Sequence, residues 1–200
     1  MFQSMTFTSI AVASMILVSD VNANGKWEKH GKEDGIIVYT TGYPQSKVPL
    51  VKAVTVVNAP SDKVWQYITQ SMEIDGLKDR RTLDTCGRGC DYVYVRMGNW
   101  MITDRYYVIK VNWSVSDKEG HPQYFRRWSK TSERKPAGTK GVPVRSIRGS
   151  WTLTPIDNGK RTRITYINHL DLGGNVPPLL FSRGFVSNAY DLLRNIRKNA

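Results

Sequence analysis

The stretch from Val144 to Lys198 constrains the fold of this chain more than any other. It reads VRSIRGSWTLTPIDNGKRTRITYINHLDLGGNVPPLLFSRGFVSNAYDLLRNIRK. Ile147, Gly149, Trp151 and Leu153 share one face of a strand-like segment. Ile164, Tyr166, Asn168 and Leu170 share one face of the next, across a turn at Asp157-Asn158-Gly159-Lys160. A Gly-Gly-Asn-Val-Pro-Pro breaker then opens a helix near Pro177 or Pro178. Along it Phe181, Phe185, Ala189, Leu192 and Ile196 recur at helical spacing, with Val186 and Leu193 beside them. Arg194, Arg197 and Lys198 crowd its end, where cations suit the helix dipole. A hairpin followed by a helix that must lie on it predicts a curved sheet around that helix. Such a layer can enclose a hydrophobic space in place of an ordinary core.

Two hundred residues fit one domain with a real core. Residues 1–23 differ from the rest: they hold no Lys or Arg, one acid (Asp20), and a mostly apolar or small run from Phe7 to Val18. Val21-Asn22-Ala23 resembles a small-residue cleavage site, so 1–23 reads as a signal peptide and 24–200 as the domain. The usual positive charge at its start is missing, and a misassigned start or an uncleaved anchor fits the same residues. Cleavage near Ala23 places the protein in a periplasm or outside the cell. No Cys follows the cut, which argues against a lipoprotein.

Without the leader the net charge rises from +12 to +13, because only Asp20 is lost. This favours anionic partners: lipid head groups, envelope polymers or nucleic acid, the last disfavoured by export. Arg126, Arg127, Lys130, Arg134, Lys135 and Lys140 cluster in one strand and loop, and with Arg183 they form a candidate patch for docking an anionic membrane. A solvated basic face with no specific partner fits equally. The two cysteines frame Cys86-Gly87-Arg88-Gly89-Cys90, a good hairpin loop, and a disulfide is expected across it. Too few ligands lie nearby for a metal site.

Further along, Ile36–Tyr39 and Val48–Val57 read as strands, with Pro49 at the start or edge of the second. Asn58-Ala-Pro-Ser-Asp starts a short helix with Val64, Trp65, Ile68 and Met72 on its apolar face, ending at Asp75-Gly76. Asp91–Met97, Ile102–Val115 and Gln123–Ser132 read as strands, and Lys135–Gly141 as a basic loop. In the long strand Tyr107, Ile109, Val111, Trp113 and Val115 alternate with Lys110, Asn112 and Ser114, which predicts one covered face. The fold class is α+β.

In order and spacing these pieces resemble the START (StAR-related lipid-transfer) domain of the helix-grip superfamily, over roughly Trp27 to Arg197. The resemblance rests on Trp27 with Asp34-Gly-Ile-Ile-Val-Tyr39, on Pro49-Leu-Val-Lys-Ala53 before the Val64-Trp65 helix, and on Asp104-Arg-Tyr-Tyr-Val108. It is strongest at Gly149-Ser-Trp-Thr-Leu-Thr-Pro155, Thr165-Tyr166 and Asp171-Leu-Gly-Gly-Asn-Val-Pro177. Tyr106 replaces the second Asp of the family's strand motif. The resemblance implies a curved antiparallel β-sheet wrapped around a long C-terminal α-helix, with an internal hydrophobic cavity for a lipid or similar molecule. It implies no cofactor and usually no chemistry, and a monomer is expected.

The inward sheet residues are expected to be Tyr107, Ile109, Val111, Trp113, Trp151, Leu153, Ile164 and Tyr166. The helix adds Phe181, Phe185, Ala189 and Leu192. On pattern alone these fill a core; the resemblance implies that they line a cavity. Arg105 shares the face of Tyr107 and Ile109 if no bulge intervenes. It then pairs with a buried acid, binds a ligand's polar group, or reaches water from the strand end. Asn168 is a weaker polar candidate. His30, His121 and His169 suggest no Ser-His-acid or Cys-His arrangement, so catalysis finds little support. A non-catalytic carrier of a hydrophobic molecule is expected. The rivals are a helix-grip enzyme of the polyketide cyclase or aromatase type, and an interaction domain with a filled core.

Overall fold

The computed structural model describes residues 26–72, 76–99, 102–174 and 178–200. The expected leader, Asp75 of the first break and Asn175-Val176-Pro177 of the second lie outside the described residues. The strands are β1 (Glu28–Glu33), β2 (Ile36–Tyr43), β3 (Ser46–Val57), β4 (Leu77–Thr85), β5 (Cys90–Asn99), β6 (Ile102–Lys118), β7 (His121–Thr131), β8 (Val142–Pro143), β9 (Ser146–Ile156) and β10 (Arg161–Asp171). Helix α1 (Ser61–Gln66) runs into a π-helical turn at Tyr67–Ser71, and α2 spans Pro178–Asn199. The strands form one sheet in the order β1-β2-β3-β10-β9-β7-β6-β5-β4, with β8 joined to β6 in parallel. β1 and β4 are its edges, so the sheet is not closed.

The two hairpins that were legible as turns form as expected. Asp157, Asn158 and Gly159 all take positive φ, and the Lys160 amide donates to the Asp157 carbonyl at 3.2 Å. Asn and Asp tolerate this left-handed geometry, and Gly adopts it freely. That turn sets the β9–β10 register, with Ile164 opposite Leu153, Tyr166 opposite Trp151 and Asn168 opposite Gly149. At the other hairpin Cys86 and Cys90 are disulfide-bonded, with Cα atoms 5.0 Å apart. The Cys86 amide also donates to the Cys90 carbonyl at 2.9 Å.

Two local expectations are corrected. The first helix does not stay α-helical. The Thr69 hydroxyl donates back to the Trp65 carbonyl at 2.8 Å, and Met72 N–H reaches the Tyr67 carbonyl at 2.9 Å, five residues back. The alternation in β6 is also not covered to its end. Past Asn112, β6 has lost β5 and only β7 runs beside it. Trp113 is therefore 39% exposed and Val115 48% exposed.

Helix α2 rests on β2, β3 and the π-helical turn. Val186, Ala189, Leu193 and Ile196 point into that seat and join Ile36, Val38, Ala53, Leu153 and Ile164 in the larger core cluster. A second cluster gathers Val93, Val95, Tyr107, Ile109 and Val111 with Ile147, Leu170 and Leu172. Among the described residues, the side chains of α2 pack into the first cluster, and the site lies beside that seat.

Candidate functional site

Between the two clusters lies a cavity of about 490 Å³, within the ~300–1,000 Å³ usual for small-molecule sites. Its apolar wall comes from every layer around it: Val51 of β3, Ile68 of the π-helical turn, Val93 and Val95 of β5, Ile109 of β6, Ile147 of β9 and Leu170 of β10. Trp151 stacks on Tyr166 at 4.3 Å, and Trp128 leans on Tyr166 at 6.4 Å. Gly149 is what lets Trp128 lie there. A Cβ at Gly149 would stand 2.4 Å from the Trp128 ring and 2.5 Å from the Ile167 carbonyl, so no side chain fits. The lining residues Arg80, Asn188, Asp191 and Asn195 are exposed and mark the mouth, between β4 and α2. There the Tyr67 hydroxyl donates to Asn195 Oδ1 at 2.5 Å.

The cavity also carries charge and hydroxyls. Tyr107, Tyr166, Asn168, Arg80 and Arg126 all line it. Burial pushes the Tyr107 hydroxyl up to about 12, against a smaller opposing effect of Arg80. Burial, and then the neighbouring Tyr107, raises Tyr166 as well. Burial, and then the charge of Arg80, lowers Arg126 to about 10, while Asp91 opposes them. Desolvation penalises whichever form is charged, so the phenols stay neutral and the guanidinium is the strained partner.

The expected site residues divide by position along their strands. Tyr107, Ile109, Trp151, Tyr166, Asn168, Ala189 and Leu192 line the cavity. Val111, Leu153 and Ile164 face inward but fill the packed clusters. Trp113 packs near Trp65, with ring centroids 6.4 Å apart, on the projecting end of the β6–β7 hairpin. Phe181, Phe185 and Arg183 belong to the part of α2 whose side chains lie outside the described residues. Arg105 does not line the cavity. It is buried, and it donates to the Leu172 carbonyl at 3.1 Å and to the Thr103 carbonyl at 2.9 Å, tying β6 to the segment before α2.

Of the expected basic patch, Arg126 is drawn into the cavity, while Arg127, Lys130, Arg134, Lys135 and Lys140 are exposed. Strand alternation sends Arg126 into the cavity and leaves Arg127 exposed on the other face. Lys130 donates to the Val144 carbonyl at 2.7 Å, Arg134 pairs with Asp84 at 3.1 Å, and Lys135 lies over the Tyr106 ring. Lys140 is exposed. Arg80, Asn188, Asp191 and Asn195 were missed by sequence reasoning. The polar stripe Asn188-Asp191-Asn195, spaced by three and four beside the apolar stripe of α2, is the signal that marked the mouth.

His169 has a partner that the sequence did not suggest. On the face of β10 opposite Tyr166 it is fully buried and stacks on Tyr43 at 3.9 Å. Its Nε2 is 2.8 Å from the Ser146 hydroxyl and its Nδ1 is 3.4 Å from the Pro49 carbonyl. Burial lowers its pKa, which keeps the ring neutral: donor at Nδ1 and acceptor at Nε2. The nearby Asp171 carboxylate instead accepts from Ser46 at 2.7 Å and pairs with Arg145 at 3.6 Å. This is a satisfied core histidine, not a triad.

A ten-stranded open, largely antiparallel sheet, one long C-terminal helix and a hollow between them decide the architecture. The fold is that of START domains. The STAR-related lipid transfer protein from Xanthomonas axonopodis superposes with a TM-score of 0.70 at 20% identity, covering 86% of this chain and 97% of that one. Human StAR-related lipid transfer protein 5 gives a TM-score of 0.73 at 14% identity, covering 90% of this chain and 88% of that one. The lipid transfer and protein localization domain of human StarD13 gives 0.72 at 18%, over 87% and 88%. No protein-family model matches the chain, and no curated protein matches its sequence. The START fold is thus retained here at identities where sequence comparison alone is silent.

Proposed function

We propose that the chain binds one lipid or similar hydrophobic molecule in the cavity between its sheet and α2, and performs no chemistry on it. The observation that carries this is an apolar-walled space of about 490 Å³ standing where a sheet and helix would otherwise pack. An empty apolar space forfeits contacts that a ligand restores. Each ~100 Å² of apolar ligand surface removed from water contributes ~2.5 kcal/mol before the cost of association. The START domains that share this fold carry lipid-transfer names, which supports the same reading.

The lining chemistry favours binding over turnover. Among the described lining residues there is no His or Cys, and the Asp191 carboxylate pairs with Arg194 at 3.0 Å. The lining phenols, raised by burial, are poor bases at neutral pH. Export belongs to the same proposal: the Cys86–Cys90 disulfide suits an oxidising compartment and the leader-like composition of 1–23.

Mass spectrometry of extracts from the purified native protein tests the reading. A near-stoichiometric copurifying amphiphile or hydrophobe is the expected result. A protein that copurifies with none, and that takes up no fluorescent apolar probe after delipidation, overturns it.

A further inference from the structure

The polar groups of the cavity point to a narrower ligand class, an inference that rests on the binding function just proposed. Arg126 projects from the middle of β7, opposite Trp113 on one side and Trp151 on the other. Among the described residues neither it nor Arg80 has a carboxylate within ion-pair distance or a hydrogen-bond acceptor for its guanidinium. The carboxylate that favours the charge of Arg126, Asp91, acts from beyond ion-pair distance, and its effect is smaller than the repulsion from Arg80. Asp191, the acid at the mouth, is held by Arg194. Among the described residues, two cations therefore face one largely apolar hollow with no carboxylate within ion-pair distance of either.

A desolvated cation next to a like charge is costly unless an anion joins it. The hydroxyls of Tyr107 and Tyr166 face the same space, and among the described residues neither is bonded to a protein acceptor. Both stay protonated at neutral pH because burial raises them, so both are available as donors. On β4, Arg80 stands opposite Val95, which stands opposite Tyr107, so that guanidinium and phenol share one row across the sheet. The rest of the wall is aliphatic and aromatic.

We propose that the cavity takes an apolar molecule ending in a single oxyanion, a carboxylate or a phosphate monoester, held by Arg126 and Arg80 with Tyr107 and Tyr166 as hydroxyl donors. Arg80 at the mouth meets the head group first, and Arg126 holds it at the inner wall. The volume of about 490 Å³ suits a single chain or a compact ring system.

The test uses the delipidated protein and four probes: cis-parinaric acid, its methyl ester, dodecyl phosphate and inorganic phosphate. Direct fluorescence titration reads the first two, and displacement of cis-parinaric acid reads the others. The expected result is that the acid binds about tenfold to a hundredfold more tightly than its ester, the range for losing a charge-assisted hydrogen bond. Dodecyl phosphate displaces it and inorganic phosphate does not. Arg126→Met, which keeps an unbranched apolar stem and removes the charge, brings acid and ester to equal affinity. Arg80→Gln, on the exposed rim, narrows the gap and keeps the test open should Arg126→Met not fold.

Equal binding of acid and ester by the unaltered protein overturns the oxyanion and leaves the cavity function standing. A preference for the acid that survives both substitutions overturns the assignment to these arginines. Displacement by inorganic phosphate as strong as by dodecyl phosphate overturns the amphiphile. Failure of both acid and ester to bind overturns the cavity function itself, and this proposal with it.

Discussion

The inward row of β10 passes through two environments. Thr162 and Ile164 have no exposed surface, and Ile164 packs against the cluster that holds Leu153, Leu193 and Ile196. Tyr166, Asn168 and Leu170, next on the same face, look into the cavity. Helix α2 repeats the division around its axis: Leu193 and Ile196 seat it on the packed half, Ala189 borders both halves, and Leu192 and the Asn188-Asp191-Asn195 stripe look toward the open half. The strands do not differ in kind between the halves. Among the described residues, what differs is what lies above them: α2 rests on β2, β3 and the π-helical turn.

If the packed half carries the stability and the open half the ligand, substitutions separate them. Leu153→Ala or Leu193→Ala in the packed half is expected to cost about 2–5 kcal/mol in urea unfolding, as for other fully buried leucines. A cost below that of a cavity-wall substitution would erase the distinction. Gly149→Ala sits at the boundary. Its Cβ meets the Trp128 ring and a backbone carbonyl, so about 1–3 kcal/mol should be lost together with probe binding. Retained binding would show that the Trp128 wall is dispensable.

Removing the disulfide by Cys86→Ser with Cys90→Ser sharpens the comparison from the hairpin at the far end of β4 and β5. The short loop it closes predicts a loss of about 2 kcal/mol with ligand affinity unchanged. Leu192→Ala, a partly buried residue on the cavity wall, is expected to cost only about 1 kcal/mol while altering ligand choice.

The smallest effect is a pH dependence. Burial lowers His169 from its ordinary 6.5. Between that value and its folded pKa the unfolded chain binds more protons, so stability rises with pH. His169 therefore favours the fold fully above about pH 6.5 and progressively less as pH falls through its folded pKa. Urea midpoints measured across that window should fall toward acid, and His169→Gln should flatten the slope. An unchanged slope would assign it to other groups.

Much of the frame was legible. The β9–β10 hairpin, the start of α2 at Pro178 and the Cys86–Cys90 pair follow from turn chemistry and helical spacing, which are local. Inward-facing residues were legible too, since alternation assigns faces: Tyr107, Ile109, Trp151, Tyr166 and Asn168 all line the cavity. Alternation gives a face without saying how far along the strand the cover extends. Trp113 was placed inside because the pattern continued past the point where β5 ends beside β6.

The arginines show the same limit. A run of basic residues suggested one surface, yet Arg126 and Arg127 point to opposite faces of β7, and Arg105 spends its charge on two backbone carbonyls. The stretch Val144–Lys198 by itself determined that a hairpin would lie against a long helix, because its turn residues and apolar periods admit little else. Only the tertiary structure decided that a hollow would remain beside the helix, faced by Arg126 and Arg80 with no carboxylate in ion-pair distance among the described residues. That choice depends on how distant strands pack, which no local pattern encodes.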